Sequence, residues 1–352
     1  MWYSRFPRGA VVTVAALLFC ASVYAHLRPC ATPSGLLITA DLQHGSKPTT
    51  ILRWTGEAKR ASASLSVGGF VLQMVSAGEE RVAAVIAAEP NPALLPPSSV
   101  SIVDLKDGRV RPLLPAGAPI FRYFLSSSPD GGWLGMTEQW RGNPLKGFSG
   151  TRLRTIRLEE RRQFIASFPG ALSKTAWSPD GSRLAVLATR VVGMGTHHSS
   201  KYYALVLPST LTTIDTVYLG TNQATSVSWS ADGRKLAVGT YDSIHRKVPA
   251  QLITLTGGRQ RRLWSGPPTD SNGYIADIHW SRTTIYLLFV TTQEDYVLVS
   301  VNAKSGVTAF SRPLSGDVYA AFCARGLLEE NAKGRISCRP LGEQRPAQNF
   351  RW

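Results

Sequence analysis

The chain has 352 residues, a formal net charge of +16 and 43% hydrophobic residues. This hydrophobic content is sufficient for a large core. The 31 Gly and 22 Pro indicate many turns, without the excess that is typical of disordered chains. Length alone suggests two domains, but closed all-β folds often reach this size as a single unit.

The N-terminus has the pattern of a targeting segment. Arg5 and Arg8 precede an uncharged apolar run, Ala10 to Ala25, which ends in a small-x-small pattern. That pattern is typical of a signal peptidase site, and the run has about 16 residues where a membrane helix needs about 20. We therefore expect residues 1–25 to be a cleaved signal peptide, with an uncleaved anchor as the alternative. Residues 26–352 would then be exported to the periplasm, the cell surface or the medium.

Export changes the partners that the positive charge indicates. For a protein outside the cytoplasm, phospholipid head groups, cell-wall polymers and acidic proteins are the available anions, and nucleic acid is not expected. A charge that only aids solubility is the alternative.

A repeated motif occupies the middle of the chain. It reads Ser-Pro-Asp-Gly at 128–131, Trp-Ser-Pro-Asp-Gly at 177–181 and Trp-Ser-Ala-Asp-Gly at 229–233, and weaker copies begin at Ser76 and Trp280. The copies recur about every 51 residues, which is a period typical of repeat proteins. Pro, Asp and Gly favour a tight turn between two strands, and a second β-rich hairpin follows in each copy.

Two hairpins per repeat give four strands, and one four-stranded sheet cannot bury both of its faces. Because radial stacking buries them, the sequence predicts an all-β fold, a six-bladed β-propeller of four-stranded blades. Two leftover pieces, residues 35–54 and 318–340, are predicted to combine into the sixth blade, so that both termini close the ring. The five complete blades are predicted at approximately 70–113, 121–166, 172–219, 225–264 and 274–312.

The pattern Trp-Ser-Pro-Asp-Gly-x-x-Leu-Ala-Val at 177–186 resembles the WD-like repeat of TolB-type propellers. The resemblance covers most of the chain after the N-terminal segment, and it implies a propeller but says little about function. TolB-type proteins carry an α/β domain before the propeller. Too few residues separate Ala25 from the first predicted strand for such a domain, so we expect the propeller alone.

The sequence shows no catalytic motif: it has no nucleophile elbow, no H-E-x-x-H pair, no EF-hand loop and no P-loop. We therefore expect no catalytic residue, no metal site and no cofactor. His197 and His198 lie among small residues typical of a loop tip, and neighbouring side chains of an extended chain point apart. The alternative is a propeller enzyme, lactonase-like or sugar-dehydrogenase-like, with its site in the central channel. The starts of the inner strands are mostly apolar or small, but Asp277 and His279 keep this alternative open.

Long connections between the second and third strands of several blades provide the functional clue. They share one face of a propeller, and long loops on a rigid scaffold are typical of binding surfaces. We predict a non-enzymatic, monomeric scaffold that binds a protein or a cell-envelope component there; tolerance to insertion is the alternative reason for the long loops. The residues predicted to make the contact are Trp140, Arg141, His198, His245 and Arg246.

Arginines form two clusters in the second hairpins, where we expect a solvated outer rim or, as the alternative, contact with an anionic surface. The clusters are Arg152, Arg154, Arg157, Arg161 and Arg162, and Arg259, Arg261 and Arg262.

Three cysteines, Cys30, Cys323 and Cys338, remain after the N-terminal segment. An oxidising compartment favours one disulfide and one free thiol. Cys323 and Cys338 are the preferred pair, because both fall in one predicted blade, where neighbouring strands lie about 5 Å apart. A bond from Cys30 to either of them, or three free thiols, are the alternatives.

Overall fold

The computed structural model describes residues 30–31, 37–43, 49–56, 59–87, 98–116, 120–141, 148–192, 199–242, 249–267, 273–293, 295–314, 317–323, 326–331, 336–339 and 341. The described residues form β-strands joined by turns, with no α-helix among them. Within this part of the chain, no helix has the length and apolar character needed to cross a membrane. The predicted targeting segment, residues 1–25, lies outside the described residues.

The strands form antiparallel sheets in chain order, and six of the sheets have four strands each. The first sheet contains β1 (Cys30–Ala31), β2 (Leu37–Gln43), β3 (Thr49–Gly56) and β4 (Lys59–Gly68). The second contains β5 (Phe70–Ser76), β6 (Arg81–Ala87), β7 (Ser98–Asp104) and β8 (Val110–Leu114). The third contains β9 (Ile120–Ser127), β10 (Trp133–Arg141), β11 (Phe148–Arg157) and β12 (Arg162–Phe168).

The later sheets repeat this order. The fourth contains β13 (Ala171–Trp177), β14 (Arg183–Val192), β15 (Ser199–Pro208) and β16 (Asp215–Gly220). The fifth contains β17 (Gln223–Trp229), β18 (Lys235–Tyr241), β19 (Gln251–Thr256) and β20 (Arg259–Ser265). The sixth contains β21 (Tyr274–Ser281), β22 (Thr284–Val290), β23 (Tyr296–Asn302) and β24 (Thr308–Pro313), and the last has three strands, β25 (Asp317–Cys323), β26 (Gly326–Asn331) and β27 (Ile336–Arg339).

The sheets, called blades 1 to 7 from here on, are stacked side by side. The first strand of each blade contacts the first strand of the next, from β1 through to β25. This arrangement confirms an all-β propeller with six four-stranded blades, and the described residues add a seventh, three-stranded sheet that the prediction of six blades did not include. Because the first strands contact one another in series, they form the inner wall of the stack.

The predicted composition of the blade built from both termini is wrong. The two terminal pieces lie in separate sheets, blade 1 and blade 7, and share no strand pairing among the described residues. Blade 1 has its own fourth strand, β4, which pairs with β3 from Thr49 to Gly56. That strand alternates small and polar residues and lacks the Trp-Ser-Pro-Asp-Gly turn, so the repeat pattern does not reveal it.

The motif tryptophans pack between neighbouring blades. Trp229 of blade 5 is 6% exposed and packs with Ala185 and Leu187 of blade 4. Its indole Nε1 donates a hydrogen bond to the carbonyl oxygen of Ala176 at 2.9 Å, and the guanidinium of Arg183 lies 4.8 Å from its ring centre. The Trp229 indole therefore joins blade 5 to blade 4.

The motif turns are held by their own polar groups. In blade 4 the Ser178 hydroxyl donates to the Asp180 carboxylate at 2.5 Å, and the Arg183 N–H donates to the Ser178 oxygen at 2.9 Å. Blade 5 repeats both bonds at Ser230 and Asp232. Gly181 has a φ of 67°, a left-handed conformation that glycine adopts without strain. The turn sequence therefore fixes the register of the following strand.

These turns predict acid sensitivity. The Ser178 hydroxyl, followed by the N–H and hydroxyl of Ser182, lowers the pKa of Asp180 from 3.8 to about 2. The unfolded chain takes up this proton at higher pH than the folded chain, so the contribution of Asp180 to stability is present above about pH 4 and is lost as the pH falls through about 2. We expect Asp180→Ala to reduce the free energy of unfolding by roughly 1 kcal/mol at pH 7, and by much less at pH 2.

Urea unfolding at both pH values measures this difference. Asp215→Ala, on an exposed strand, is the control. An equal loss of stability at both pH values would contradict the prediction.

The strand register does not support the preferred disulfide. Cys338 on β27 is paired with Leu328 on β26, and Cys323 on β25 is paired with Gly326 on β26. With β26 between them, the two cysteine backbones are at least two strand spacings apart, about 9–10 Å, whereas a disulfide needs Cα atoms about 4.4–6.8 Å apart. The prediction treated the two strands as neighbours, and it is corrected on that point.

Candidate partner-binding face

Two hairpins project from adjacent blades at the edge that carries the long connections. Strands β14 and β15 of blade 4 pair from Arg183 with Pro208 to Val192 with Ser199, which is ten pairs. In blade 5 the corresponding pairing begins at the equivalent position, Lys235, and ends at Thr240, which is six pairs. The blade 4 hairpin is therefore four pairs longer and extends about 14 Å further, at about 3.4 Å per residue.

The hairpin of blade 3 projects in the same way. Strands β10 and β11 pair from Trp133 with Arg157 to Arg141 with Phe148, with an irregularity between Trp140 and Arg141. In blade 2 the described part of the corresponding pairing has seven pairs and ends at Ala87 with Ser98. Because the blades are adjacent and the hairpins leave the same edge, blades 3 and 4 carry two neighbouring projections.

Two of the five predicted contact residues lie in the part of the chain that the structure describes. Trp140 and Arg141 lie on β10, near the end of the blade 3 hairpin, and not in a loop as the sequence indicated. The pattern missed this because β10 continues beyond the usual strand length. His198, His245 and Arg246 lie outside the described residues.

Sequence reasoning did not identify an apolar surface at the end of the blade 4 hairpin. Val191 is 45% exposed and Val192 is 38% exposed. Arg190 beside them is also exposed, and it is paired with Lys201 on β15. Two exposed valines next to a pair of cations are a combination that favours contact with another molecule.

Both hairpin ends lack acidic residues. No Asp or Glu occurs from residue 139 to 151 or from 188 to 204, whereas these segments contain two and two Lys or Arg respectively. The projecting ends are therefore basic and partly apolar, which favours an acidic partner.

A buried ionic cluster holds the base of the blade 3 hairpin. The Glu138 side chain is fully buried, and both of its oxygens accept hydrogen bonds from the Arg154 guanidinium, at 2.9 and 3.0 Å. Arg152 lies opposite Glu138, with its Nε 3.4 Å from the same carboxylate, and Gln163 accepts a hydrogen bond from Arg154 at 2.5 Å. Such bidentate pairing is strong and fixes geometry, so the cluster orients the strands that carry Trp140 and Arg141.

The prediction that all of these arginines form a solvated outer rim is wrong for Arg154. Arg154 is 8% exposed and is not a rim residue. The sequence correctly placed Arg152 and Arg154 on one side of a strand, but that side faces the neighbouring blade 2 and not the solvent. Arg157, Arg161 and Arg162 are exposed, and so are Arg259, Arg261 and Arg262 on β20.

Polar side chains of the inner strands form hydrogen bonds between different blades. The Gln73 amide donates to the Leu125 carbonyl oxygen at 3.1 Å and accepts from the Leu125 N–H at 2.9 Å. The Lys174 ammonium of blade 4 donates to the Ala276 carbonyl of blade 6. The inner wall is therefore more polar than the sequence indicated, and these groups bond to backbone atoms of other blades.

The two residues that kept the enzyme alternative open lie on β21. Asp277 accepts hydrogen bonds from the backbone N–H groups of Ile278 at 3.0 Å and Phe322 at 3.2 Å. The His279 ring lies 5.7 Å from the Phe322 ring, and burial lowers the pKa of His279 while the Asp277 charge acts to raise it. Among the described residues, no group of three or more His, Cys, Asp and Glu is placed to hold a metal ion.

In sequence, the chain matches no family model and no curated protein. In structure it is similar to the β-propeller domain of the trilobed protease from Pyrococcus furiosus, with a TM-score of 0.60, 11% identity, and coverage of 90% of this chain and 95% of that chain. It is also similar to oligogalacturonate lyase from Vibrio parahaemolyticus, with a TM-score of 0.58, 13% identity, and coverage of 91% and 90%.

TolB from Acinetobacter baumannii matches with a TM-score of 0.46, 14% identity, and coverage of 86% of this chain and 78% of that chain. That score is too low to support the TolB-type resemblance, which remains a prediction from the motif. The two structures with the higher scores have different activities but share one architecture. Their similarity shows that this chain has the β-propeller fold.

Proposed function

We propose that the protein is an exported, non-enzymatic scaffold that binds an acidic protein of the cell envelope through the projecting hairpins of blades 3 and 4. The observation that carries the proposal is the extension of two adjacent hairpins beyond their neighbours at one edge of a rigid propeller. The exposed valines of the blade 4 hairpin and the cations of both hairpin ends suit a protein surface with carboxylates around an apolar centre.

Export and a monomeric state are parts of the same proposal. They rest on the apolar N-terminal run and on the net charge of +16. The alternative of a channel enzyme receives no support from the described inner wall, where the Asp277 carboxylate is bonded to two backbone N–H groups.

Site-specific photocrosslinking tests the binding face. A crosslinker at Val191 of the full-length protein, expressed in its own host, is expected to give one discrete protein adduct. A crosslinker at Val307, which is 64% exposed near the turn on the opposite face, is the control and is expected to give none.

Charge reversal then tests the role of the cations. Arg190→Glu with Lys201→Glu is expected to reduce the Val191 adduct at least tenfold, because both cations would repel an acidic partner. Trp140→Ala with Arg141→Ala should have a similar effect. Arg111→Glu on the exposed strand β8 is the matched charge control, and an equal reduction by that variant, or an adduct at Val307 alone, would contradict the proposed face.

A further inference from the structure

A basic groove lies between blades 5 and 6, on the face opposite the projecting hairpins. It has a volume of about 230 Å³ and is lined on the blade 5 side by Lys235, Thr254, Thr256, Arg259 and Arg261. Trp280 and Ala303 of blade 6 form the other wall. Lys235 begins β18, Thr256 ends β19 and Arg259 begins β20, so the groove opens at the edge with the tight turns.

The strand register places the polar groups on one face of blade 5. Lys235 lies directly opposite Thr256, and Thr256 lies directly opposite Arg259. Thr254 is paired with Arg261 in the same way. Directly paired residues share a face of a sheet, and further along this face Ala237 and Leu252 pack against blade 6. The groove is therefore a polar opening in an otherwise apolar interface.

The neighbouring interface shows that this opening is not a general feature of the repeat. Between blades 4 and 5, the position of Lys235 is taken by Arg183, which lies over the Trp229 ring at 4.8 Å and donates to the Gly233 carbonyl oxygen. The register places Val206 and Pro208 where blade 5 has its two threonines. Asp215, paired with Val206, stands where blade 5 has Arg261.

The three cations of the groove have no carboxylate partner. Among the described residues, neither Lys235 nor Arg259 nor Arg261 forms an ion pair with an acid. Asp232 precedes Lys235 in the motif turn, but its carboxylate accepts from the Ser230 hydroxyl and the Arg234 N–H. The Asp232 charge interacts with Lys235, but three converging cations outnumber this single carboxylate, which favours binding of an anion.

We propose that this groove binds a phosphate monoester on a small hydroxylated body, such as a sugar phosphate. A phosphate monoester carries about −1.5 to −2 charges at pH 7, which suits three cations better than the single charge of a carboxylate. Guanidinium groups match phosphate oxygens with paired hydrogen bonds, and the Thr256 hydroxyl is available beside them. The volume is below the roughly 300–1,000 Å³ typical of pockets for drug-sized ligands, so a small soluble ligand fits. This site is independent of the proposed partner-binding face.

Calorimetric titration of the purified protein with glucose 6-phosphate tests the groove. We expect saturable binding in 0.15 M salt, and much weaker binding of glucuronate and of glucose. Arg259→Gln with Arg261→Gln is expected to weaken binding at least tenfold. Arg262→Gln removes a charge from the same strand but not from the groove lining, so it is expected to change the affinity less than twofold.

Four outcomes would overturn the proposal. The first is absence of glucose 6-phosphate binding, and the second is equally tight binding of glucuronate. The third is a loss of affinity with Arg262→Gln as large as the loss with the Arg259→Gln and Arg261→Gln variant, which would indicate diffuse charge. The fourth is binding of anionic phospholipid vesicles, lost in the groove variant, in place of the sugar phosphate. Because the Val191 crosslink does not involve this groove, its result is unaffected by failure of the phosphate site.

Discussion

Glu138→Ala is expected to reduce the free energy of unfolding by about 3–5 kcal/mol, the range for removing one partner of a buried ion pair. The substitution leaves the Arg154 guanidinium buried and facing an empty position, and it removes the carboxylate that Arg152 approaches at 3.4 Å. Coulomb attraction is lost, and the desolvation of the arginines is no longer compensated. Denaturant unfolding of the variant and the parent protein measures the difference.

An exposed ion pair in the same blade is the matched control. Arg157 and Glu160 lie 2.9 Å apart, with 48% of each side chain exposed. Exposed pairs contribute about 0–1 kcal/mol, so Glu160→Ala should change stability little. If both alanine variants have the same stability, the buried cluster does not hold the blade 3 hairpin. Glu138→Ala should also reduce the Val191 crosslink less than the Trp140 and Arg141 variant does, because it loosens the blade 3 hairpin but keeps both contact residues.

Trp229→Ala is expected to reduce the free energy of unfolding by about 3–5 kcal/mol, as for other buried aromatic truncations. The change opens a cavity between blades 4 and 5, removes the 2.9 Å bond to the Ala176 carbonyl and leaves the Arg183 guanidinium without the ring beneath it. Trp229→Phe keeps an aromatic ring and loses the N–H, so a loss of about 1 kcal/mol is expected. Urea unfolding measures both variants. A loss below 1.5 kcal/mol for the alanine variant would contradict the role of this tryptophan in joining the blades.

The sequence predicted the fold where the local chemistry repeats. Ser178, Asp180 and Gly181 have the roles that their residue types indicate, because the turn is stabilised by its own hydrogen bonds. Blade 1 was missed because β4 carries alternating small and polar residues without a turn motif. Whether the two terminal pieces share a sheet depends on long-range pairing, which no local pattern contains.

The candidate sites were less predictable for the same reason. Alternation showed that Arg152 and Arg154 share a side, but only the stacking of blade 3 on blade 2 decides that the side is buried against Glu138. The end of β14 at Val192 depends on pairing with Ser199, so the sequence placed this segment in a loop. The basic groove brings together residues from Lys235 to Ala303 on two blades, and their proximity follows from the propeller alone.

Hydrogen exchange of the protein, free and bound to the partner identified by the Val191 crosslink, tests the proposed binding face most directly. Binding is predicted to slow amide exchange in residues 139–150 and 189–201, the ends of the two projecting hairpins, and to leave the tight turns of the opposite face unchanged. Protection of the turn between Thr256 and Arg259, with unchanged exchange in both hairpins, would contradict it.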